Sequence, residues 1–88
     1  MKLLRKVRIK NSLGLHARPA TMIVKLLQGT ASDVSFTYRK ATINAKSIMS
    51  ILMLAATKNS LITIVVDGED ASETMQKIVD AFENHFGE

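Results

Sequence analysis

Apolar residues recur along this chain with two different spacings, and the alternation of these spacings predicts the order of its elements. Residues 3–10 alternate as in a half-buried strand, and the side predicted to face the core carries Leu3, Arg5, Val7 and Ile9. Residues 17–28 have helical spacing instead, with Gly29 placed to end the helix and an apolar face formed by Ala20, Ile23, Val24 and Leu27.

The middle of the chain predicts a hairpin and then a short helix. Residues 34–38 alternate again, and a second short strand, residues 41–44, follows across Arg39-Lys40, an unusual dipeptide for a tight turn. Ser47 is placed to begin a helix of two turns over residues 48–54.

The last third of the chain predicts one strand and the clearest helix. Residues 61–66 are a continuous apolar run of strand length, closed by the turn signal Asp67-Gly68. The helix begins near Asp70-x-x-Glu73, which is close to a capping box. Its apolar stripe is predicted to comprise Met75, Ile78, Val79, Phe82 and Phe86.

The resulting order, β-α-β-β-α-β-α, predicts an α+β fold in which helices cover one face of a largely antiparallel sheet, a two-layer sandwich. The 88 residues form a single domain, residues 1–88. A chain of this size buries only about 60 to 65% of the surface exposed on unfolding. It has no room for a deep cleft with a lid, so a carrier or a binding module is favoured over an enzyme.

Composition excludes several chemistries. The chain has no cysteine, which excludes disulfides, thiol nucleophiles and thiolate metal sites. It has no apolar run of membrane-spanning length, and its first ten residues return to charge too soon for a signal peptide. We therefore expect a soluble cytoplasmic protein.

The net charge of +4 is unevenly distributed along the chain. Residues 1–58 hold eleven Lys or Arg against the single acid Asp33, whereas residues 59–88 hold seven acids against Lys77. A basic first half indicates an anionic partner, which could be nucleic acid, a phosphate group or an acidic protein face. A solvated surface without a partner is the simpler alternative.

The segment NSLGLHARPATM, residues 11–22, carries the candidate chemistry. His16 directly precedes a predicted helix with Pro19 in its first turn, and we expect the free amides of Ala17, Arg18 and Ala20 to lie near the imidazole. A helix N-terminus favours anions, and Arg18 adds a guanidinium suited to phosphate oxygens. Both should disfavour a protonated ring and leave a nitrogen free as a nucleophile, which describes a phosphohistidine site. A histidine that only caps the helix is the alternative.

Other candidate residues have structural explanations. His85 is placed in the last turn of the final helix, where an imidazole suits the negative end of the helix dipole. Met22, Met53 and Met75 are expected to fill the core, whereas Met49 could be an adaptable partner contact.

Two motifs resemble one known family. The string GLHARPA at residues 14–20 strongly resembles the active-site signature of HPr, the histidine-containing phosphocarrier family of the bacterial phosphoenolpyruvate phosphotransferase system, and AKSIM at residues 45–49 resembles its regulatory serine segment. The resemblance covers essentially the whole chain. It implies an open-faced β-sandwich of four antiparallel strands with three helices on one side.

The resemblance also implies roles for individual residues. His16 would accept a phosphoryl group through Nδ1 from phosphorylated enzyme I, itself charged by phosphoenolpyruvate, and pass it to an enzyme II A domain, while Arg18 would neutralise the phosphate. The protein would be a carrier and not an enzyme, would need no cofactor or metal, and is expected to be a monomer. The partner surface would comprise Ala17, Ala20, Lys25, Lys46, Ile48 and Met49.

Ser47 would be the target of a serine kinase of the HPr kinase/phosphorylase type. Its phosphate would sit at a helix N-terminus with little refolding and would add about −1.5 to −2 charge next to the docking surface, which should repel an acidic partner. An ordinary helix N-cap is the structural alternative, and it is compatible with the regulatory role.

Two questions stay open at the level of sequence. Residues 25–29 and 52–54 resemble the nitrogen-related paralogue, whereas Lys46-Ser47 resembles the carbon-regulatory type, so the chain could serve sugar uptake or a regulatory relay. A small basic nucleic-acid-binding domain is the rival from another class. The few aromatic residues, Phe36, Tyr38, Phe82 and Phe86, argue against base stacking.

Overall fold

The elements follow the predicted order in the computed structural model, which describes residues 1–88. The strands are β1 (Lys2–Arg8), β2 (Asp33–Tyr38), β3 (Ala41–Asn44) and β4 (Leu61–Asp67). The helices are α1 (Ala17–Leu27), α2 (Ile48–Leu54) and α3 (Ala71–Glu83), and a 3₁₀ turn, His85–Gly87, follows α3.

The four strands form one antiparallel sheet in the order β1-β4-β2-β3, which confirms the predicted fold class. β1 pairs with β4 along its whole length, so the first and last strands are neighbours. Because side chains alternate between the two faces of a sheet, one face packs under the helices and the other is open. The buried face carries Val34, Phe36, Ile62, Ile64 and Val66. The open face carries Ser35, Thr37, Thr42 and Thr63.

Three phenylalanines connect the sheet to the last elements of the chain. Phe82 of α3 meets Phe36 of β2 edge to face at 5.8 Å between ring centroids, and meets Phe86 at 4.8 Å. Phe86 is buried as predicted, but it does not continue the helical stripe. The α-helix ends at Glu83, because His85 and Phe86 both have left-handed backbones with φ of 52°. The placement of His85 in the last turn of α3 is therefore wrong.

The hairpin between β2 and β3 is confirmed, and so is its unusual turn. Arg39 adopts φ of 57°, a left-handed conformation uncommon for a residue with a side chain, and its guanidinium lies 5.1 Å from the centre of the Tyr38 ring. Ala55, which ends α2, is also left-handed, with φ of 53°. Asn59 has φ of 73°, a conformation that asparagine tolerates.

The methionines are only partly where the sequence predicted them. Met75 is buried, with 3% of its surface exposed, but Met22 is 42% exposed and Met53 is 76% exposed, so the expectation that they fill the core is wrong. The reason is that each helix buries only the side that rests on the core, through Ile23 and Leu27 on α1 and through Ile51 and Leu54 on α2. Helical spacing of apolar residues did not distinguish that side from the exposed one. None of the three helices is long and apolar enough to cross a membrane.

Asp70 joins two parts of the chain and does not form the predicted capping box. It is the N-cap residue of α3, yet its side chain makes no capping bond. Its carboxylate instead accepts the N–H of Ala31 at 2.9 Å, the N–H of Ser32 at 3.0 Å and the Ser32 hydroxyl. The Ser32 hydroxyl, followed by the Ala31 amide, lowers the pKa of Asp70 from 3.8 to about 2. The carboxylate thereby fastens the loop between α1 and β2 to the start of α3.

We expect this clamp to give folding stability an acid dependence that Asp70→Asn removes. The pKa of Asp70 is lower in the folded state than in the unfolded state. Its contribution to the free energy of unfolding is therefore fully present above about pH 4 and is lost as the pH falls toward about 2. Urea unfolding across that range should show Asp70→Asn less stable than wild type above about pH 4, with the two converging at lower pH. Asp80→Asn, on the exposed face of α3, should keep the wild-type acid dependence. A constant difference between wild type and Asp70→Asn would contradict this role.

Candidate active site

The loop that leads into α1 is fastened to the segment after α2. Gly14 has φ of 66°, and a side-chain carbon at this position would lie only 2.3 Å from the carbonyl oxygen of Ala56. The next N–H, that of Leu15, donates to the same oxygen at 3.0 Å, and the Leu15 side chain is buried. The glycine is therefore required twice, for its backbone angle and for the close approach.

His16 lies directly after this anchor, as the N-cap residue of α1 in an extended conformation. Its side chain is 29% exposed and makes no capping bond, so the alternative of a merely capping histidine is not supported. Three free amides were expected beside the ring, but that of Ala20 is not free, because its N–H donates to the His16 carbonyl at 3.1 Å. The amides of Ala17 and Arg18 have no partner within the chain.

The imidazole contacts an acid that the motif does not reveal. Nε2 of His16 lies 2.9 Å from Oε2 and 3.2 Å from Oε1 of Glu88. A carboxylate only accepts hydrogen bonds, so Nε2 carries the proton of this contact. Nδ1 has no partner in the chain, and in the neutral ring its lone pair is free.

Asn11 holds Glu88 in position. The Asn11 amide is 4% exposed and donates both to the Glu88 carboxylate at 2.5 Å and to the His85 carbonyl at 2.7 Å. This hydrogen bond from Asn11, followed by the one from His16, lowers the pKa of Glu88, and the charge of Arg18 adds to the effect. Glu88 therefore stays ionised beside the ring.

A shallow cavity of about 330 Å³ opens beside these groups, lined by Lys10, Asn11, Ser12, Leu13, His16, His85 and Glu88. The exposed guanidinium of Arg18 and the amides at the start of α1 supply positive character near the ring. The arrangement offers a ring nitrogen without a partner, donors for an anion, and a carboxylate on the other ring nitrogen. His85 contributes its backbone carbonyl to this arrangement.

Comparison with known proteins shows the family of this chain. The family model described as "PTS HPr component phosphorylation site" matches residues 3–84. The chain belongs to the HPr family. It is 51% identical to phosphocarrier protein HPr of Chlamydia pneumoniae over 80 residues, covering 91% of this chain and 74% of the relative. HPr of Xylella fastidiosa is 38% identical, with 91% and 90% covered.

Solved HPr structures have the same fold. HPr-C-His of Thermoanaerobacter tengcongensis superposes with a TM-score of 0.93 at 34% identity, covering 98% of this chain and 97% of the other. HPr of Bacillus anthracis gives 0.86 at 33% identity, covering 92% and 96%. The chain is thus a phosphocarrier-family member of the phosphotransferase system.

The expected partner surface is exposed in part. Ala17 and Lys25 of α1 are exposed, and Ile48 and Met49 of α2 are 39% and 66% exposed. Ala20 has no exposed surface, so its place in a partner contact is wrong, because its side of α1 faces the core. Lys46 is half-buried, and its ammonium donates to the carbonyl of Thr30 at 3.1 Å. Its charge is therefore held within the chain, near the end of α1.

Ser47 and His16 lie at opposite ends of the pair of helices α1 and α2. Lys46, next to Ser47, donates to the carbonyl of Thr30, which lies just after the end of α1. At the other end of the pair, the carbonyl of Ala56, just after α2, accepts the N–H of Leu15, the residue before His16. The two helices therefore run antiparallel, and the 11 residues of α1 span about 16 Å. Ser47 is the N-cap of α2, and its hydroxyl accepts the N–H of Ser50 at 3.2 Å.

We expect the Glu88 contact to set the tautomer of the His16 ring. In Glu88→Ala, the fraction of neutral ring protonated on Nδ1 should rise about two- to fivefold, the effect of losing one hydrogen bond. The ¹⁵N shifts of the ring at about pH 9 would measure this fraction. Glu83→Ala, which removes an exposed acid near the end of α3, should leave it unchanged. An identical tautomer ratio in Glu88→Ala would show that the contact does not orient the ring.

Proposed function

We propose that this protein carries a phosphoryl group on Nδ1 of His16, receiving it from phosphorylated enzyme I and passing it to an enzyme II A domain. The observation that carries the proposal is the contact of Glu88 with Nε2, which leaves Nδ1 as the free nitrogen of a partly exposed ring. The match of the family model over residues 3–84 supports the same conclusion.

The transfer needs positioning more than acid–base chemistry. The Nδ1 lone pair attacks phosphorus, and the new N–P bond forms as the bond from phosphorus to the donor's histidine breaks. The proton on Nε2 stays in place while the ring gains positive charge, and the Glu88 carboxylate stabilises that charge. Transfer to the acceptor reverses these changes, so no net proton is taken up.

The phosphate oxygens would be bound by groups at the start of α1. The partnerless amides of Ala17 and Arg18 and the Arg18 guanidinium are donors suited to a phosphoryl dianion. Glu88 contacts the opposite ring nitrogen, so its negative charge lies away from the atom that carries phosphorus. The chain is then a covalently modified carrier that needs neither cofactor nor metal, and it does not catalyse a reaction by itself.

The docking surface of this proposal is the exposed side of α1 and α2. We define it by Ala17, Arg18, Met22, Lys25, Ile48, Met49 and Met53. It combines cations on α1 with apolar side chains on α2 and contains no acid, which suits an acidic partner surface with an apolar centre. We place the exchange in the cytoplasm, and we expect a monomer to suffice because all the site residues come from one chain.

Nothing favours the nucleic-acid alternative. The open face of the sheet carries no aromatic side chain, because Phe36 and Tyr38 are in register with Ile43 and Ala41 on the helix side. Bases would therefore have no stacking platform there. The choice between a sugar-transport and a nitrogen-related branch rests on the downstream partner, and purified acceptor domains of each type would decide it.

The proposal predicts a phosphoryl group that depends on His16. Incubation with enzyme I and labelled phosphoenolpyruvate should give one acid-labile phosphoryl group per chain, and His16→Ala should take up none. Arg18→Ala should slow uptake by roughly tenfold or more, as expected for loss of a charged donor to phosphate. His85→Asn, which removes the other imidazole at a position where asparagine tolerates the backbone, should be labelled. Wild-type protein without label, or labelled His16→Ala, would overturn the proposal.

We propose Ser47 as a regulatory phosphorylation site that acts on docking. Ser47 begins α2 at the end of the helix pair opposite His16, and salt screens a charge there increasingly with its distance from the ring. A phosphate on Ser47 would therefore affect the ring of His16 little. It would lie beside Ile48 and Met49, where it would repel an acidic partner.

A matched pair of variants tests this charge effect. Ser47→Asp and Ser47→Asn both retain an N-cap for α2, but only the aspartate adds charge. Ser47→Asp should raise the KM for transfer from enzyme I roughly fivefold at low salt without changing kcat, and added salt should narrow the difference. Equal effects in the two variants would exclude a charge mechanism.

A further inference from the structure

Methionine is unusually exposed on the helix side of this protein. Met22 of α1 is 42% exposed, and Met49 and Met53 of α2 are 66% and 76% exposed. Met75 of α3, by contrast, is 3% exposed within the core. Several exposed thioethers on one side of the molecule form an apolar patch, and such a patch indicates a surface that a partner covers.

The three side chains belong to the docking surface. Met49 and Met53 are four residues apart on α2 and therefore lie side by side on its exposed face. Met22 is four residues after Arg18 and three before Lys25, so it lies on the exposed side of α1 between the two cations. A large part of the apolar area available to a partner is thus methionine, with Ile48 as the exposed neighbour that cannot be oxidised in this way.

We propose that Met22, Met49 and Met53 are oxidation sites, and that their conversion to sulfoxides by a peroxide prevents partner docking and so stops phosphoryl transfer. The inference rests on the proposed carrier function. Oxidation would be a second form of control beside phosphorylation of Ser47. Both would act on the docking surface, the phosphate by its charge and the sulfoxides by their polarity.

The chemistry is a two-electron oxygen transfer. The sulfur lone pair attacks one oxygen of hydrogen peroxide, an S–O bond forms as the O–O bond breaks, and the departing hydroxide and the remaining proton leave as water. Sulfur is oxidised and the peroxide oxygen is reduced, and each event adds one oxygen atom to the chain. A thiol-dependent methionine sulfoxide reductase returns the sulfur to the thioether.

The difference in burial among the methionines means that oxidation weakens docking and leaves the fold intact. The exposed sulfurs are open to peroxide, whereas Met75 is shielded among core residues such as Ile78 and Phe82. A sulfoxide on an exposed helix face remains hydrated in the free protein. In a complex, the sulfoxide becomes a polar group buried against a partner surface that is complementary to a thioether. Each sulfoxide buried in this way weakens binding by about tenfold.

The test measures oxidation and transfer in the same samples. Wild-type protein is treated with increasing hydrogen peroxide, sulfoxides are located by peptide mass spectrometry, and the kcat/KM for phosphoryl transfer from enzyme I is measured. Sulfoxide should appear at Met49, Met53 and Met22 well before Met75. The kcat/KM should fall by about tenfold or more through KM, the circular dichroism spectrum should be unchanged, and the two sulfoxide reductases, one for each epimer, should restore the rate.

Two variants make the result specific. In the triple variant Met22→Leu, Met49→Leu, Met53→Leu, the ratio of rates before and after peroxide should stay near one, whatever its starting rate. Met75→Leu should remain as sensitive as wild type. Met1, 72% exposed at the start of β1 and outside the docking surface, reports in every sample that peroxide reached the protein.

The outcomes separate this inference from the carrier function. A wild-type chain that accepts no phosphoryl group before oxidation overturns both. A chain that accepts phosphate at an unchanged rate while Met49 and Met53 are oxidised overturns the inference alone, and so does a triple variant that loses activity with peroxide as wild type does.

Discussion

The contact between Gly14 and the carbonyl of Ala56 is the constraint from which the site follows. Any side chain at position 14 would overlap that oxygen, and the left-handed backbone there turns the chain into α1. The hydrogen bond from Leu15 to the same carbonyl then fixes the residue that precedes His16. One backbone oxygen after α2 thus determines where α1 begins and where the imidazole lies.

The second anchor of the site comes from the far end of the sequence. Asn11 is buried, and its amide links the loop before α1 both to the backbone of the 3₁₀ turn and to Glu88. That turn is positioned in its own right, because Phe86 is buried against Phe82. Packing of an aromatic side chain in the core therefore brings a carboxylate to the imidazole, which joins the hydrophobic core to the chemistry at the surface.

The sequence was informative where local physics decides the outcome. The pattern of apolar residues, together with turn and cap signals, predicted the order of all seven elements, and the GLHARPA segment indicated the start of α1. Ser47 could be recognised as an N-cap, which the bond from Ser50 confirms. Glu88 could not be linked to His16, because 72 residues separate them and tertiary contacts, the packing of Phe86 and the hydrogen bond from Asn11, bring them together.

Errors arose where one pattern serves two purposes. Ala20, Met22 and Met53 all fit an apolar helix face, yet Ala20 is fully buried and both methionines are exposed, because a short helix on a sheet buries only the side it rests on. Asp70 looked like a capping residue, but its carboxylate is used by a loop 38 residues away in sequence. In each case the tertiary partner was the missing information.

The open face of the sheet has a practical consequence. Its row of hydroxyl side chains, in which Thr37 and Thr42 bond each other at 2.8 Å, lies on the opposite side of the strands from the buried face on which the helices pack. A dye, a tether or a fused domain attached at Thr42 or Thr63 would therefore project away from the side of the molecule that carries α1 and α2. Encounters with a partner could be followed from there by fluorescence while the helix side stays free to engage it.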